Sequence, residues 1–102
     1  MQAGYLAEKP LGYFQVTGID VAATIASKIG SAIPAGTVQI LIIPEAQAIR
    51  WRDDATNPTA AIGQPLAVGA ELRYTCRAFA QLAVISQVAG AILNCTFYGE
   101  GV

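Results

Sequence analysis

The sequence predicts an antiparallel β-sandwich or jelly roll of six to eight strands, with at most one short helix. Three observations lead there. Short segments alternate apolar and polar side chains at period two, which puts one set on each face of a sheet. Turns marked by glycine or proline separate them, as at Pro34-Ala35-Gly36, Asn57-Pro58 and Ala89-Gly90. No linker, charge block or internal repeat divides the 102 residues, a length suited to one domain. Residues 1–11 read as an irregular N-terminal arm, and residues 12–102 as a single β-sandwich domain.

In the arm, Gly4, Lys9 and Pro10 interrupt any periodicity, and Tyr5 and Leu6 are its candidate anchors. Gly12 to Thr17 forms a first strand, with Phe14 and Val16 at period two. Residues 18–36 admit two readings. Val21, Ile25, Ile29 and Ile33 recur at spacing four, which fits a short amphipathic helix from about Asp20 to Lys28, capped by Asp20 and stopped by Gly30. Their β-branched side chains fit a loop or short strand equally.

Thr37 to Ile43 is apolar almost throughout, as expected of a strand covered on both faces, and Pro44 ends it. Ala48 to Arg52 follows, with Ile49 and Trp51 on one face and Arg50 and Arg52 on the other. Asp53 to Gln64 is a loop. Glu71 to Arg77 is the cleanest half-buried strand: Leu72, Tyr74 and Cys76 alternate with Arg73, Thr75 and Arg77. Gln81 to Ser86 and Ala91 to Tyr98 complete the set.

The composition narrows the function. Hydrophobic residues make up 54% and charged residues 13%, against about 25% charged in an average soluble domain. So short a chain cannot bury that much apolar surface alone, so a homo-oligomer is expected. The longest apolar run is far below the roughly 20 residues that span a membrane. No basic region followed by an apolar segment opens the chain, so no secretory signal is expected. A net charge of −1 offers no general attraction to nucleic acid or to an acidic membrane. The chain has no histidine, which removes the commonest general base and metal ligand, and its carboxylates show no paired spacing for acid–base chemistry. No enzyme, metal or cofactor is expected.

The most distinctive segment is Arg50-Trp51-Arg52-Asp53-Asp54, which holds four of the thirteen charges and the only tryptophan. As a ligand patch, Trp51 would stack and the arginines would fork a phosphate or carboxylate. The structural reading places Trp51 in the core beside Ile49. Arg50 and Arg52 then pair with nearby carboxylates or a neighbouring subunit, and Asp53 or Asp54 accepts hydrogen bonds from loop amides. Asp53, Asp54 and Asn57 fall short of the six to eight oxygens of a calcium site. Arg73 and Arg77 flank Thr75 and form a solvated or inter-subunit stripe. Cys76 and Cys95 fall on apolar faces, which fits two buried thiols; an inter-sheet disulfide is the other arrangement. Tyr13, Phe14, Phe97 and Tyr98 either close the core or make a carbohydrate platform.

The pattern from Val38 to Tyr98 resembles a family of small structural proteins of tailed bacteriophages and prophages. An apolar strand precedes Ile49-Arg50-Trp51-Arg52-Asp53-Asp54; then come Pro58-Thr59, Gly63, an apolar pair and Gly69, and a strand after Ala89-Gly90-Ala91 ends in Phe97-Tyr98. The resemblance implies a virion component assembled in the host cytoplasm. Its first form is a capsid decoration or cement protein that bridges subunits of the major capsid protein, as a homo-oligomer with a trimer favoured. The alternative is a tail or adsorption component binding a host glycan or another tail protein. The family usually has a glycine after the two aspartates, where this chain has Ala55.

Overall fold

The computed structural model describes residues 8–30 and 33–101. Tyr5 and Leu6 lie outside the described residues. Eight strands form two antiparallel sheets: β1 (Glu8–Val16), β2 (Ala23–Thr24), β3 (Thr37–Glu45), β4 (Ile49–Arg52), β5 (Gln64–Leu66), β6 (Leu72–Tyr74), β7 (Ala83–Ser86) and β8 (Ile92–Glu100). The first sheet runs β1-β8-β3-β6 and the second β2-β7-β4-β5. Strand 1 thus pairs with 8, 2 with 7, 3 with 6 and 4 with 5, which is one long hairpin rolled into two layers. That connectivity is a jelly roll, the more specific of the two architectures expected.

The core lies between the layers. On β8 burial alternates without a break: Leu93, Cys95, Phe97 and Gly99 are buried, and Ile92, Asn94, Thr96 and Tyr98 only partly so. Ile40, Ile42 and Pro44 of β3, Ile49 of β4, Val84 of β7 and Val16 of β1 are buried with them, as are Ile19, Ile25, Tyr74, Phe79 and Leu82. Phe14 meets Phe97 edge to face at 5.6 Å. Gly99 is glycine for a steric reason, because a Cβ there would stand 2.9 Å from Leu11 Cδ1 and 3.0 Å from the Gly36 carbonyl oxygen.

Several boundaries move. Strand β1 starts at Glu8, so Glu8, Lys9 and Pro10, read as arm, pair with β8, and Leu11 is the residue bulged out between Pro10 and Gly12. Pro44 does not end β3. Its carbonyl accepts from Gly69 N–H at 2.9 Å on the side away from β8, and its missing N–H faces that same side, beyond the end of β6, so no ladder bond is lost. The helix is one turn, α1 (Ile25–Lys28), and its N-cap is Thr24, whose Oγ1 accepts from Ser27 N–H at 3.2 Å. Asp20 instead accepts from Gly90 N–H at 3.0 Å, tying the β1–β2 and β7–β8 loops together. Gly30 follows the turn at φ +74°, as expected of a stop. Strands β2 and β5, of two and three residues, lie in segments without alternation and exist because β7 and β4 pair with them.

Candidate functional site

The segment singled out in the sequence runs from β4 into the loop at the tip of the rolled hairpin, residues 53–63. Its side chains are mostly used to fix that tip. Trp51 is half-buried and packs against the core; its ring meets Tyr74 at 6.0 Å, and Tyr74 meets Phe79 at 5.8 Å, both edge to face. This chain of rings joins β4 of one sheet to β6 of the other. Trp51 thus shares the inward side of β4 with Ile49, but it is only partly buried and packs against the core, where a fully buried residue was expected.

Among the described residues Arg50 pairs with no carboxylate. On the outer face of β4 it donates from Nε to the Ala60 carbonyl at 3.1 Å and from Nη1 to the Gly63 carbonyl at 2.8 Å. A guanidinium fork suits this role, because it satisfies two loop carbonyls at once. Thr59 closes the loop on itself: its Oγ1 accepts from Ile62 N–H at 2.9 Å, and its N–H donates to the Ile62 carbonyl at 2.8 Å. Pro58 is buried. Gly63 sits at φ +141°, and a Cβ on it would meet Pro58 Cβ at 3.0 Å and Arg50 Cβ at 3.2 Å. Arg50, Pro58, Thr59 and Gly63 thus all serve to fix this loop.

Arg52 and Asp54 form a fork, Nε to Oδ1 at 3.0 Å and Nη2 to Oδ2 at 2.6 Å. The hydrogen bond from Arg52 is the main reason the Asp54 carboxyl is held below its usual range, with smaller help from the backbone N–H groups of Asp54 and Thr56. Asp53 accepts from the Tyr74 hydroxyl at 2.7 Å. Burial, and then this bond, push the Tyr74 phenol well above its ordinary value. Sequence reasoning missed Tyr74. Its place on an apolar face signals that the hydroxyl needs a partner, but not which one.

Arg52, Asp53, Asp54, Ile62, Gly63 and Gln64 line an open cleft of about 400 Å³. It presents one ion pair, one engaged carboxylate and one amide. Among the described residues, no group of three or more histidine, cysteine or acidic side chains could hold a metal. No described helix is long and apolar enough to cross a membrane.

The remaining candidates are dispersed. Strand β6 ends at Tyr74, so Arg77 lies beyond it and does not share a strand face with Arg73. Arg73 stands 3.4 Å from Glu71 on the surface. The cysteines are free; Cys95 is buried, but Cys76, beyond the end of β6, is exposed, which corrects the expectation of two buried thiols. Burial alone pushes the Cys95 thiol up to about 12. Of the four aromatics near the chain ends, Phe14 and Phe97 are in the core, whereas Tyr13 and Tyr98 stand on the outer face of the first sheet. No protein-family model, curated protein or solved structure matches the chain.

Proposed function

We propose that this protein is a structural component of a tailed-bacteriophage particle: a decoration or cement subunit that stabilises the head by bridging subunits of the major capsid protein. It acts without chemistry and without a cofactor. The observation that carries this reading is the segment Ile49–Gly63, where the phage-like pattern falls on residues that fold the tip of a jelly roll. The jelly roll is an architecture that viral shell proteins use. The arginines have internal partners at Arg50, Arg52 and Arg73, while Arg77 makes no salt bridge among the described residues and is the free cation of the set. Adhesion therefore rests on apolar area more than on charge.

Lectins use the same architecture, and the cleft beside Arg52 is large enough for a sugar-sized ligand, so a tail or adsorption role is the second reading. Deleting the gene from a phage that carries it separates the two. Particles lacking the protein are expected to assemble but to lose DNA sooner on heating or in chelator and low salt. Particles of unchanged stability that no longer adsorb to cells place the protein in the tail instead. Locating it in an intact particle by cryo-electron microscopy gives an independent answer.

A further inference from the structure

The two outer faces of the sandwich are unlike. On the second sheet, Arg50 and Arg52 alternate with inward-facing Ile49 and Trp51 and so stand outside, with the 53–63 loop tied over Arg50. On the first sheet the outer face is set by Leu41 and Ile43 of β3, Thr96 and Tyr98 of β8, with Tyr13 of β1 and Ile92 alongside. The register places Leu41 and Tyr13 on either side of Thr96. None of these six carries a charge; uncharged Asn94, Gln15 and Gln39 share the face, and its charged residues are at its edges, Glu45 opposite Ile92, Arg73 opposite Leu41, and Glu8 paired with Glu100. Among the described residues no strand or helix lies over this face; Tyr13 is exposed, the other five are partly buried, and Gln39, opposite Tyr98 on the same face, is only 6% exposed. The two-sided cover expected of β3 is supplied by the core on one side; on the other, Leu41 and Ile43 are partly buried and no described strand or helix lies over them.

The face is also braced. The Tyr13 hydroxyl donates to Asn94 Oδ1, Asn94 Nδ2 donates to Glu45 Oε1 at 3.0 Å, and Gln39 Nε2 donates to Glu8 Oε1 at 2.7 Å. These bonds span β1, β8 and β3, so little side-chain freedom is left to lose on docking.

Strand addition at a sheet edge is disfavoured. Of the four edge strands, β2, β5 and β6 have two or three residues. The long one, β1, carries Lys9, Pro10 and the bulge between Pro10 and Gly12, features that block pairing with a further strand.

We propose that the outer face of the first sheet packs on the same face of a second copy across a two-fold axis, making a four-layered dimer. An isologous contact sets a patch against itself, so charges at its centre would meet like charges; an uncharged centre with a charged margin is self-compatible. The area suffices. Three nine-residue strands at about 3.3 Å per residue and about 4.8 Å apart, with β6 beside them, cover roughly 500 Å² in plan. Two copies then bury upward of about 1,000 Å², the threshold for a specific interface. A face packed on itself closes at two, so this surface makes a dimer and not the trimer that the phage resemblance favours. The inference specifies a self-association, but it stands on sheet geometry and not on the virion reading.

Light scattering on the purified protein at micromolar concentration tests it. The wild type is expected at the mass of two chains. Ile43→Lys, with a charge at the centre of the face, is expected to lose the dimer while keeping its β circular dichroism. Ile85→Lys, on the outer face of the second sheet, is expected to keep it. A wild type at the mass of one or three chains overturns the proposal, as does a folded Ile43→Lys that stays dimeric. Should Ile43→Lys not fold, Thr96→Cys in a Cys76→Ser background takes its place. A short bis-maleimide is expected to link two such chains, and failure to link them overturns the proposal equally. All of these readings use isolated protein, so they leave the particle experiments as a separate test of function.

Discussion

Arg50 and Arg52 sit two residues apart on the same face of β4 and act differently. Arg50 satisfies two carbonyls of a loop that has few other ties, so Arg50→Ala is expected to destabilise the fold by about 1–3 kcal/mol. Arg52 pairs with Asp54 in an exposed fork, where solvent and salt weaken the attraction, so Arg52→Ala should lower the melting temperature less than Arg50→Ala does. Thermal unfolding of the two variants in one buffer checks the order. Ala55 is the other informative residue. It takes φ +67°, a left-handed conformation that costs a non-glycine residue about 1–2 kcal/mol, partly offset by glycine's greater freedom in the unfolded chain. Ala55→Gly is therefore expected to raise stability by up to about 1 kcal/mol, seen as a higher midpoint in a denaturant titration. The turn after the two aspartates is thus of the kind glycine favours, although this chain places alanine there.

At the scale of elements, short strands are held by what they face. β6 has three residues and β4 four, and each contributes one ring to the Trp51–Tyr74–Phe79 series that bridges the sheets. Trp51→Ala removes the first ring. Full burial would put the loss at about 3–5 kcal/mol; half-buried Trp51 should cost nearer 2–3 kcal/mol, measured by chemical denaturation. Retained stability would place the tryptophan outside the core packing described. Element boundaries were read poorly from the sequence for the same reason. Thr75 to Arg77 continue the alternation of β6, yet the chain turns away from the sheet after Tyr74 although β3 runs on to Thr37, so alternation alone does not set where a strand ends. Ala23–Thr24 and Gln64–Leu66 show no alternation and are strands because neighbours supply the ladder bonds.

For the whole molecule, the two groups with the most displaced titrations act in the same direction. In the unfolded chain a cysteine ionises near pH 8.5 and a tyrosine near pH 10. In the folded protein, burial keeps Cys95 protonated up to about 12, and burial with the Asp53 bond keeps the Tyr74 phenol protonated well past its usual range. Above about pH 9 the unfolded chain therefore holds fewer protons than the folded one, and stability falls as pH rises. The melting temperature should be insensitive to these two groups below pH 8 and decline from about pH 9 upward. Cys95→Ala should flatten the earlier part of that decline and Tyr74→Phe the later part. A melting temperature that is flat to pH 11 would contradict the buried placement of both groups.

The sequence by itself determined the class of fold, because period-two alternation and glycine or proline turns are local properties that survive without knowledge of partners. It also determined that Trp51 joins Ile49 on an inward face and that residues 20–30 hold no more than one short helix. The tertiary structure alone decided the rest. Which strands pair is a long-range matter, so the jelly-roll order, the tiny strands β2 and β5 and the continuation of β3 through Pro44 had no local signal. The same holds at the candidate site. Charge and composition marked Arg50 through Asp54, but only the rolled hairpin brings Tyr74 onto Asp53 and two loop carbonyls onto Arg50. The outer face of the first sheet follows the same logic, since alternation places Leu41 and Ile43 opposite the core and only the packing of the layers shows that no described strand or helix lies over these partly buried side chains.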